Sequence, residues 1–257
     1  MKRKIIVIGI GAGNPEHVTI EAIKALNRAS VLFIPDKGAE KAELARVRRD
    51  ICNRYIENDG YRMVDFDVPP RVRPSKDYSR GIAEWRDSVE RTYEQLIAEE
   101  LGEGECGAFL VWGDPSLYDG TLRILDSLQR RGAIAFDYDV IPGISSVQAL
   151  AARHRVPLNR VGGTVTITTG RRIMEKFPDG SDSVVVMLDA DMAFMSVDGD
   201  MEIHWGAYVG TGDEILVSGR LAEVRDEIVR ARAEARERHG WIMDTYLLTR
   251  PSDDNEA

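Results

Sequence analysis

The run KIIVI at residues 4–8 is followed at once by GIGAG, Gly9 to Gly13, and then by Asn14-Pro15. An unbroken apolar run that ends in glycines fits a parallel strand covered on both faces. Asparagine is a good helix N-cap, and proline suits the first helical position. The predicted helix therefore opens at Asn14 and runs to about Ala29, with Ile20, Ile23 and Leu26 on its apolar side. VLFI at 31–34 supplies a second strand. A strand, glycine loop, helix and strand in succession commit this end of the chain to an α/β layer. The basic residues before the apolar run invite a signal-peptide reading. The run is too short for that, breaks at Gly9 and lacks a small-residue cleavage site.

The next stretch, 35–80, is less regular and carries Arg46, Arg48, Arg49, Arg54, Arg71, Arg73 and Arg80. Helical periodicity returns over 82–101, where Ile82, Trp85, Val89 and Tyr93 share a face. CGAFLVW (106–112) predicts a strand, 122–130 a helix and FDYDVI (136–141) another strand. After a short helix over 145–154 the pattern becomes richer in strands: 164–169, 183–188, 203–210, 214–219 and 241–249, with a charged helix at 220–239. The expected architecture is α/β with two α/β domains, the first on a mostly parallel sheet and the second on a mixed one. Their boundary is placed near residue 140, giving 1–140 and 141–257.

Composition narrows the function classes. The net charge of −9 argues against a general nucleic-acid binder, which needs a basic excess. No run of about 18 apolar residues is present, so no membrane span is expected. Cys52 and Cys106 stand far apart and read as reduced thiols of a cytoplasmic protein. His17, His154, His204 and His239 do not cluster, so no metal is expected.

Three turns follow strands, where open α/β sheets place their ligands. The GIGAG loop lets backbone amides approach an anionic group, or is only a tight turn. It matches the dinucleotide fingerprint G-x-G-x-x-G only in part. Gly113-Asp114-Pro115-Ser116-Leu117-Tyr118 offers an aspartate that could accept hydrogen bonds from a ligand, or merely an Asp-Pro turn. Pro142-Gly143-Ile144-Ser145-Ser146 offers hydroxyls and amides at a helix start, or an ordinary N-cap.

In this order and spacing, with Val156-Pro157-Leu158-Asn159 soon after, the three turns resemble the tetrapyrrole (corrin/porphyrin) methylase family. The likeness covers nearly the whole chain. It implies two α/β domains with the active-site cleft between them, a homodimer, and S-adenosylmethionine bound in the cleft. Matching motif positions would place Trp112, Gly113, Asp114 and Leu117 against the cofactor, with Ser145 and Ser146 below. Leu188 would pack on the adenine, Val209 and Gly210 would hold the base, and Thr245 would touch it. Pro15 is the counterpart of a proline in a first loop that is shortened here. That shortened loop, with the stretches 189–200 and 203–216, is similar to the subgroup that methylates carbon 1 of precorrin-5 and releases acetate. A family methylase acting at another ring carbon, and a non-catalytic binding module on the same fold, remain alternatives.

Methyl transfer from a sulfonium needs positioning and a dry pocket more than a side-chain nucleophile. Deacetylation needs a base for the attacking water. The likeness points to Asp36, near the end of the second strand; Tyr118, His17 and His204 follow as candidates in that order, and the two histidines read mainly as surface or loop residues. A substrate bearing many carboxylates asks for arginine, which pairs with them two-pronged. Arg46, Arg49, Arg71, Arg73 and Arg153 are the candidates. Arg230, Arg232 and Arg236 sit among glutamates at helical spacing and read as surface pairing. Trp85, Tyr93, Met187, Met192 and Met195 could line a macrocycle pocket but read mainly as core.

Overall fold

A computed structural model of the protein describes residues 2–36, 42–70 and 78–250. The chain divides into two compact units, Met1–Ile144 and Ser145–Ala257.

The first unit is built on five parallel strands, β1 (Arg3–Gly9), β2 (Val31–Asp36), β3 (Arg62–Asp67), β4 (Cys106–Val111) and β5 (Phe136–Ile141), in the order β3-β2-β4-β1-β5. Its helices are α1 (Ile20–Leu26), α2 (Ala42–Tyr55), α3 (Tyr78–Glu100) and α4 (Thr121–Arg131). Successive residues of a strand point to opposite faces. Ile6 and Ile8 of β1 accordingly pack with Ala22 and Leu26 of α1 and Ile51 and Cys52 of α2. Ile5 and Val7 pack with Val89 and Ile97 of α3 and Leu125 and Leu128 of α4. With helices on both faces, β1 has no polar side, which is why its sequence is an apolar run rather than an alternation. Phe109 of β4 sits among aromatic rings, 4.6 Å from Phe33 and 4.8 Å from Tyr93 between centroids. Cys52 and Cys106 are free thiols, and burial pushes Cys52 up to about 12.

Two local expectations are corrected. The helix expected from Asn14 to Ala29 is a single 3-10 turn, Pro15–His17, followed by α1. Each has its own cap: Asn14 Oδ1 accepts from Glu16 N (2.9 Å) and Thr19 Oγ1 from Ala22 N (3.1 Å). The stretch expected to be irregular holds α2 and β3.

The second unit carries β6 (Val165–Thr169), β7 (Ser183–Met187), β8 (Glu202–Ala207), β9 (Ile215–Arg220) and β10 (Asp244–Thr249), in the order β6-β7-β10-β8-β9. β6 and β7 run parallel, and the other pairs are antiparallel, so the sheet is mixed as expected. Its helices are α5 (Ser146–His154), α6 (Gly170–Glu175) and α7 (Leu221–His239). The last strand begins at Asp244, three residues later than its sequence suggests.

The reading of Arg232 as a surface residue is overturned. It is 5% exposed, its Nη1 meets Asp244 Oδ2, and its Nη2 donates to the Asp189 carbonyl at 2.9 Å. Trp205 Nε1 donates to the same Asp244 oxygen at 2.8 Å, and Tyr246 OH donates to Asp189 Oδ2 at 2.8 Å. This buried network fixes the chain just after β7, because Asp189 also accepts from Ala193 N (2.8 Å).

Candidate functional site

In the first unit β4, β1 and β5 are neighbours and parallel, so the loops leaving their C-terminal ends emerge side by side. These are the three turns singled out in the sequence. Gly11 and Gly113 form an isolated bridge, with Gly113 N donating to Gly11 O at 2.8 Å. Both have positive φ, +83° and +70°, a region open to glycine at little steric expense. A Cβ on Gly143 would lie 2.2 Å from Gly113 O, and one on Gly9 would lie 2.6 Å from Gly143 N. Glycine at these positions is therefore a demand of backbone packing on backbone.

Asp114 joins two of the loops. Its Oδ2 accepts from Gly143 N at 2.9 Å, and its Oδ1 accepts from Ser116 N at 2.8 Å and from the Ser116 hydroxyl. Burial pushes the carboxyl up, but these three donors outweigh it and hold it below the usual range. A carboxyl with a lowered folded pKa stabilises above the unfolded value, about 3.9, and that contribution is lost as pH falls through the folded value. Asp114→Ala is expected to lower unfolding free energy by about 1–2 kcal/mol at pH 7. The difference from wild type shrinks as pH falls below about 4. Urea unfolding at the two pH values checks this, and a constant difference would refute the sign.

Trp112 is half-buried, and its Nε1 is buried with no hydrogen-bond partner among the described residues. The same holds for Nδ1 of His17, whose Cβ lies over Gly11. Leu117 donates its N–H to Asp114 O at 3.2 Å. Tyr118 is 43% exposed, and burial of the rest of the ring raises its hydroxyl pKa. Its φ of +54° is a conformation that a non-glycine residue adopts at about 1 kcal/mol or more. Asp36 is the last residue of β2, in register with Asp67.

In the second unit, Leu188, Val209, Gly210 and Thr245 lie at one end of the sheet's inner strands. Thr245 of β10 pairs with Met187, the last residue of β7, and with Gly206 near the end of β8. Leu188 is 65% exposed with φ +53°, and Tyr208 and Gly210 have φ of +49° and +85°. Gly210 N donates to Glu214 Oε2 at 2.9 Å. Leu150 of α5 packs toward Gly206, where a Cβ would meet it at 2.8 Å. At the start of α5, Ser145 Oγ accepts from Val147 N (3.1 Å) while the Gln148 side chain accepts from Ser145 N (3.2 Å). That capping box occupies the Ser145 hydroxyl, and Ser146 is half-buried. His204 of β8 meets His154 of α5 edge-on at 5.2 Å between rings. Burial lowers both imidazole pKa values.

The arginine candidates fare unevenly. Arg49 is paired with Asp65, and Arg153 Nε donates to Glu214 Oε1 at 2.6 Å. Arg46 is exposed on α2, and Arg71 and Arg73 lie outside the described residues. The sequence reading missed Arg48, which is buried in α2, and Glu214, which ties Arg153 to the 210 backbone. The helical spacing of Val47, Ile51 and Tyr55 was the available signal for α2.

A family model for tetrapyrrole (corrin/porphyrin) methylases matches residues 4–225. The chain belongs to that family. This methylase is 57% identical over 255 residues to a Sinorhizobium sp protein named precorrin-6A synthase (deacetylating), across 99% of this chain and 98% of that one. It matches the crystal structure of a cobalamin synthesis related protein (CobF) from Corynebacterium diphtheriae at a TM-score of 0.84 and 34% identity, covering 98% of this chain and all of the other (100%). A uroporphyrin-III C-methyltransferase from Thermus thermophilus, solved with S-adenyl homocysteine, shares the fold at a TM-score of 0.57 and 17% identity, over 96% of this chain and 97% of its own.

Proposed function

We propose that the chain is a precorrin-6A synthase: an S-adenosylmethionine-dependent C-methyltransferase of corrin biosynthesis that methylates carbon 1 of precorrin-5 and releases acetate. The observation that carries this reading is the 57% identity, nearly end to end, to the Sinorhizobium protein of that name. The residues fit the cofactor. Leu188 is an exposed apolar side chain at the end of β7, suited to an adenine face, and the backbone at Val209 and Gly210 follows β8 at the same end of the sheet.

When bound, S-adenosylmethionine supplies an electrophilic methyl together with its own leaving group. The protein's part is to orient and to exclude water. Trp112, Gly113, Asp114 and Leu117 of the first unit and Ser145, Ser146, Leu188, Val209, Gly210 and Thr245 of the second are assigned to cofactor binding. Asp114 acts by holding the 113 and 143 loops together. Tyr118, with its pKa raised by burial, keeps its proton at neutral pH. It serves as a donor, which leaves Asp36 as the base for the water that attacks the acetyl carbonyl. Arg46, Arg49, Arg71, Arg73 and Arg153 are assigned to substrate carboxylates, Arg49 and Arg153 on exchange of Asp65 and Glu214. The enzyme is read as cytoplasmic and homodimeric, and sedimentation at working concentration tests the latter.

Calorimetry with S-adenosylmethionine and mass spectrometry of products from precorrin-5 test the function. Saturable binding, with gain of one methyl and loss of the acetyl group, is the expected result. A folded sample that gives no heat, or a product that keeps its acetyl group, refutes it. Loss of about tenfold in cofactor affinity is expected for Asp114→Ala.

A further inference from the structure

The connection from β8 to β9, residues 208–214 (YVGTGDE), carries Glu214 at its far end. Tyr208 and Gly210 stand at positive φ, +49° and +85°. A tyrosine holds that conformation only where its surroundings over-determine it. Here Tyr208 N donates to the Met243 carbonyl at 2.9 Å, and its hydroxyl donates to the Trp241 carbonyl. The Tyr208 carbonyl accepts from Thr211 N at 2.9 Å and from Thr211 Oγ1 at 2.8 Å. These bonds pin 208 and 211, with Val209 and Gly210 between them.

Glu214 pins that interval. Its side chain is 12% exposed, and its two oxygens are engaged separately. Oε2 accepts from Gly210 N at 2.9 Å, while Oε1 meets Nε and Nη2 of Arg153 on α5, at 2.6 and 2.5 Å. The Arg153 side chain is half exposed, so the ion pair alone adds little. The bond to Gly210 is charge-assisted and sheltered, and is the stronger restraint. Glycine has no side chain to limit its own φ and ψ, so without the carboxylate this stretch of backbone gains freedom. Val209 is tied to the same stretch: its Cγ2 lies 2.7 Å from where a Cβ on Gly206 would stand, seated on the bare backbone of β8.

We propose that Glu214 is a positioning residue for the cofactor base. It fixes the backbone at Val209 and Gly210 in the conformation that receives the base, and does not touch the base itself. The proposal rests on the reading of 209–210 as the seat of that base. Because Oε1 and Oε2 act apart, Gly210 stays held when Arg153 exchanges onto a substrate carboxylate.

The test uses the full-length protein and two probes, S-adenosylhomocysteine and 5′-methylthioadenosine, the second lacking the amino-acid end. Glu214→Met keeps the length of the side chain and loses the acceptor. It is expected to weaken both probes by about tenfold in calorimetry. Glu214→Gln keeps an oxygen that can accept from Gly210 N, and should stay within about threefold of wild type. Asp213→Asn, an exposed carboxylate on the same turn, is the control for lost charge and should change neither probe. In turnover, Glu214→Met should raise the cofactor KM and leave kcat at saturating cofactor and the tetrapyrrole KM unchanged. A general structural role would lower kcat and stability together, and that result overturns the proposal. A second measurement needs no variant: the Gly210 amide of the cofactor-free wild type should be protected from hydrogen exchange. Exchange at the rate of an open loop overturns the clamp. Wild type that binds both probes, with Glu214→Met binding them equally well, overturns this inference alone. A folded wild type that binds neither probe overturns the proposed function, and the inference with it.

Discussion

Arg232→Met is expected to destabilise the second unit by about 3–5 kcal/mol, because it strands a buried carboxylate. Asp244 sits in β10 with Trp205 Nε1 and the Arg232 guanidinium both directed at its Oδ2. Burial pushes the Asp244 carboxyl up, and Arg232 is the largest influence pulling it back. Without Arg232 the folded state takes up a proton at Asp244 that the unfolded state does not hold. A folded pKa above the unfolded one means stability lost as pH rises. The variant's deficit against wild type should therefore grow from about pH 4 upward and be largest near neutrality. The double replacement Arg232→Met, Asp244→Leu should recover much of the loss, since a pair removed together leaves no orphan charge. Denaturant unfolding of the wild type and the two variants at pH 5 and 7.5 decides the matter. A pH-independent deficit, or no recovery in the double variant, would remove the buried pair from the account. Because Arg232 also holds the Asp189 carbonyl, the single variant should loosen the Leu188 turn and weaken cofactor binding as well.

Gly143→Ala is expected to be nearly as damaging, by a different route. Its new methyl would stand 2.2 Å from the Gly113 carbonyl and 2.8 Å from Gly9, all backbone atoms with no side chain to swing aside. Overpacking of this kind costs typically about 1–3 kcal/mol, and the upper end applies where only backbone can yield. The displaced loop would also withdraw Gly143 N from Asp114, so S-adenosylmethionine affinity should fall by about tenfold or more. Gly81→Ala is the matched control. It lies in α3 with nothing within 4 Å of a new Cβ, and should raise stability by roughly 0.5–1 kcal/mol. Thermal unfolding and calorimetry on both variants check the pair. If Gly143→Ala behaves like Gly81→Ala, the three loops are not packed as described.

The legible parts of the fold were those whose signal is local. β1, β2 and β4 are covered on both faces, so their sequences are plain apolar runs bounded by glycine or proline. The same punctuation exposed the three turns. α2 was hidden because Arg46, Arg48, Arg49 and Arg54 dominate it, and one of them, Arg48, points inward. β3 is an edge strand with Asp65 and Asp67 on alternate positions, so only Phe66 of its side chains is fully buried. Arg232 was misread for a related reason. Charged residues dominate the helix around it, although the residues three and four positions away are Ile228, Val229, Ala235 and Arg236, and its partner Asp244 lies on the central strand of the sheet. Among the site residues, Arg49 and Arg153 looked available because Asp65 and Glu214 come from other elements. Spacing along a chain reveals periodicity. It does not reveal which distant carboxylate a guanidinium meets.

The position of β1 has a consequence for synthesis in the cell. It is the second strand from one edge of its sheet, and its partners arrive late: Ile8 pairs with Leu110 on one side and Ile141 on the other. At about 5–20 residues per second, a ribosome takes roughly 5–20 s to add the hundred or so residues before the first of these strands emerges. Throughout that interval this apolar run is unpaired, and Lys2, Arg3 and Lys4 at its start are the charges placed to keep it from self-associating.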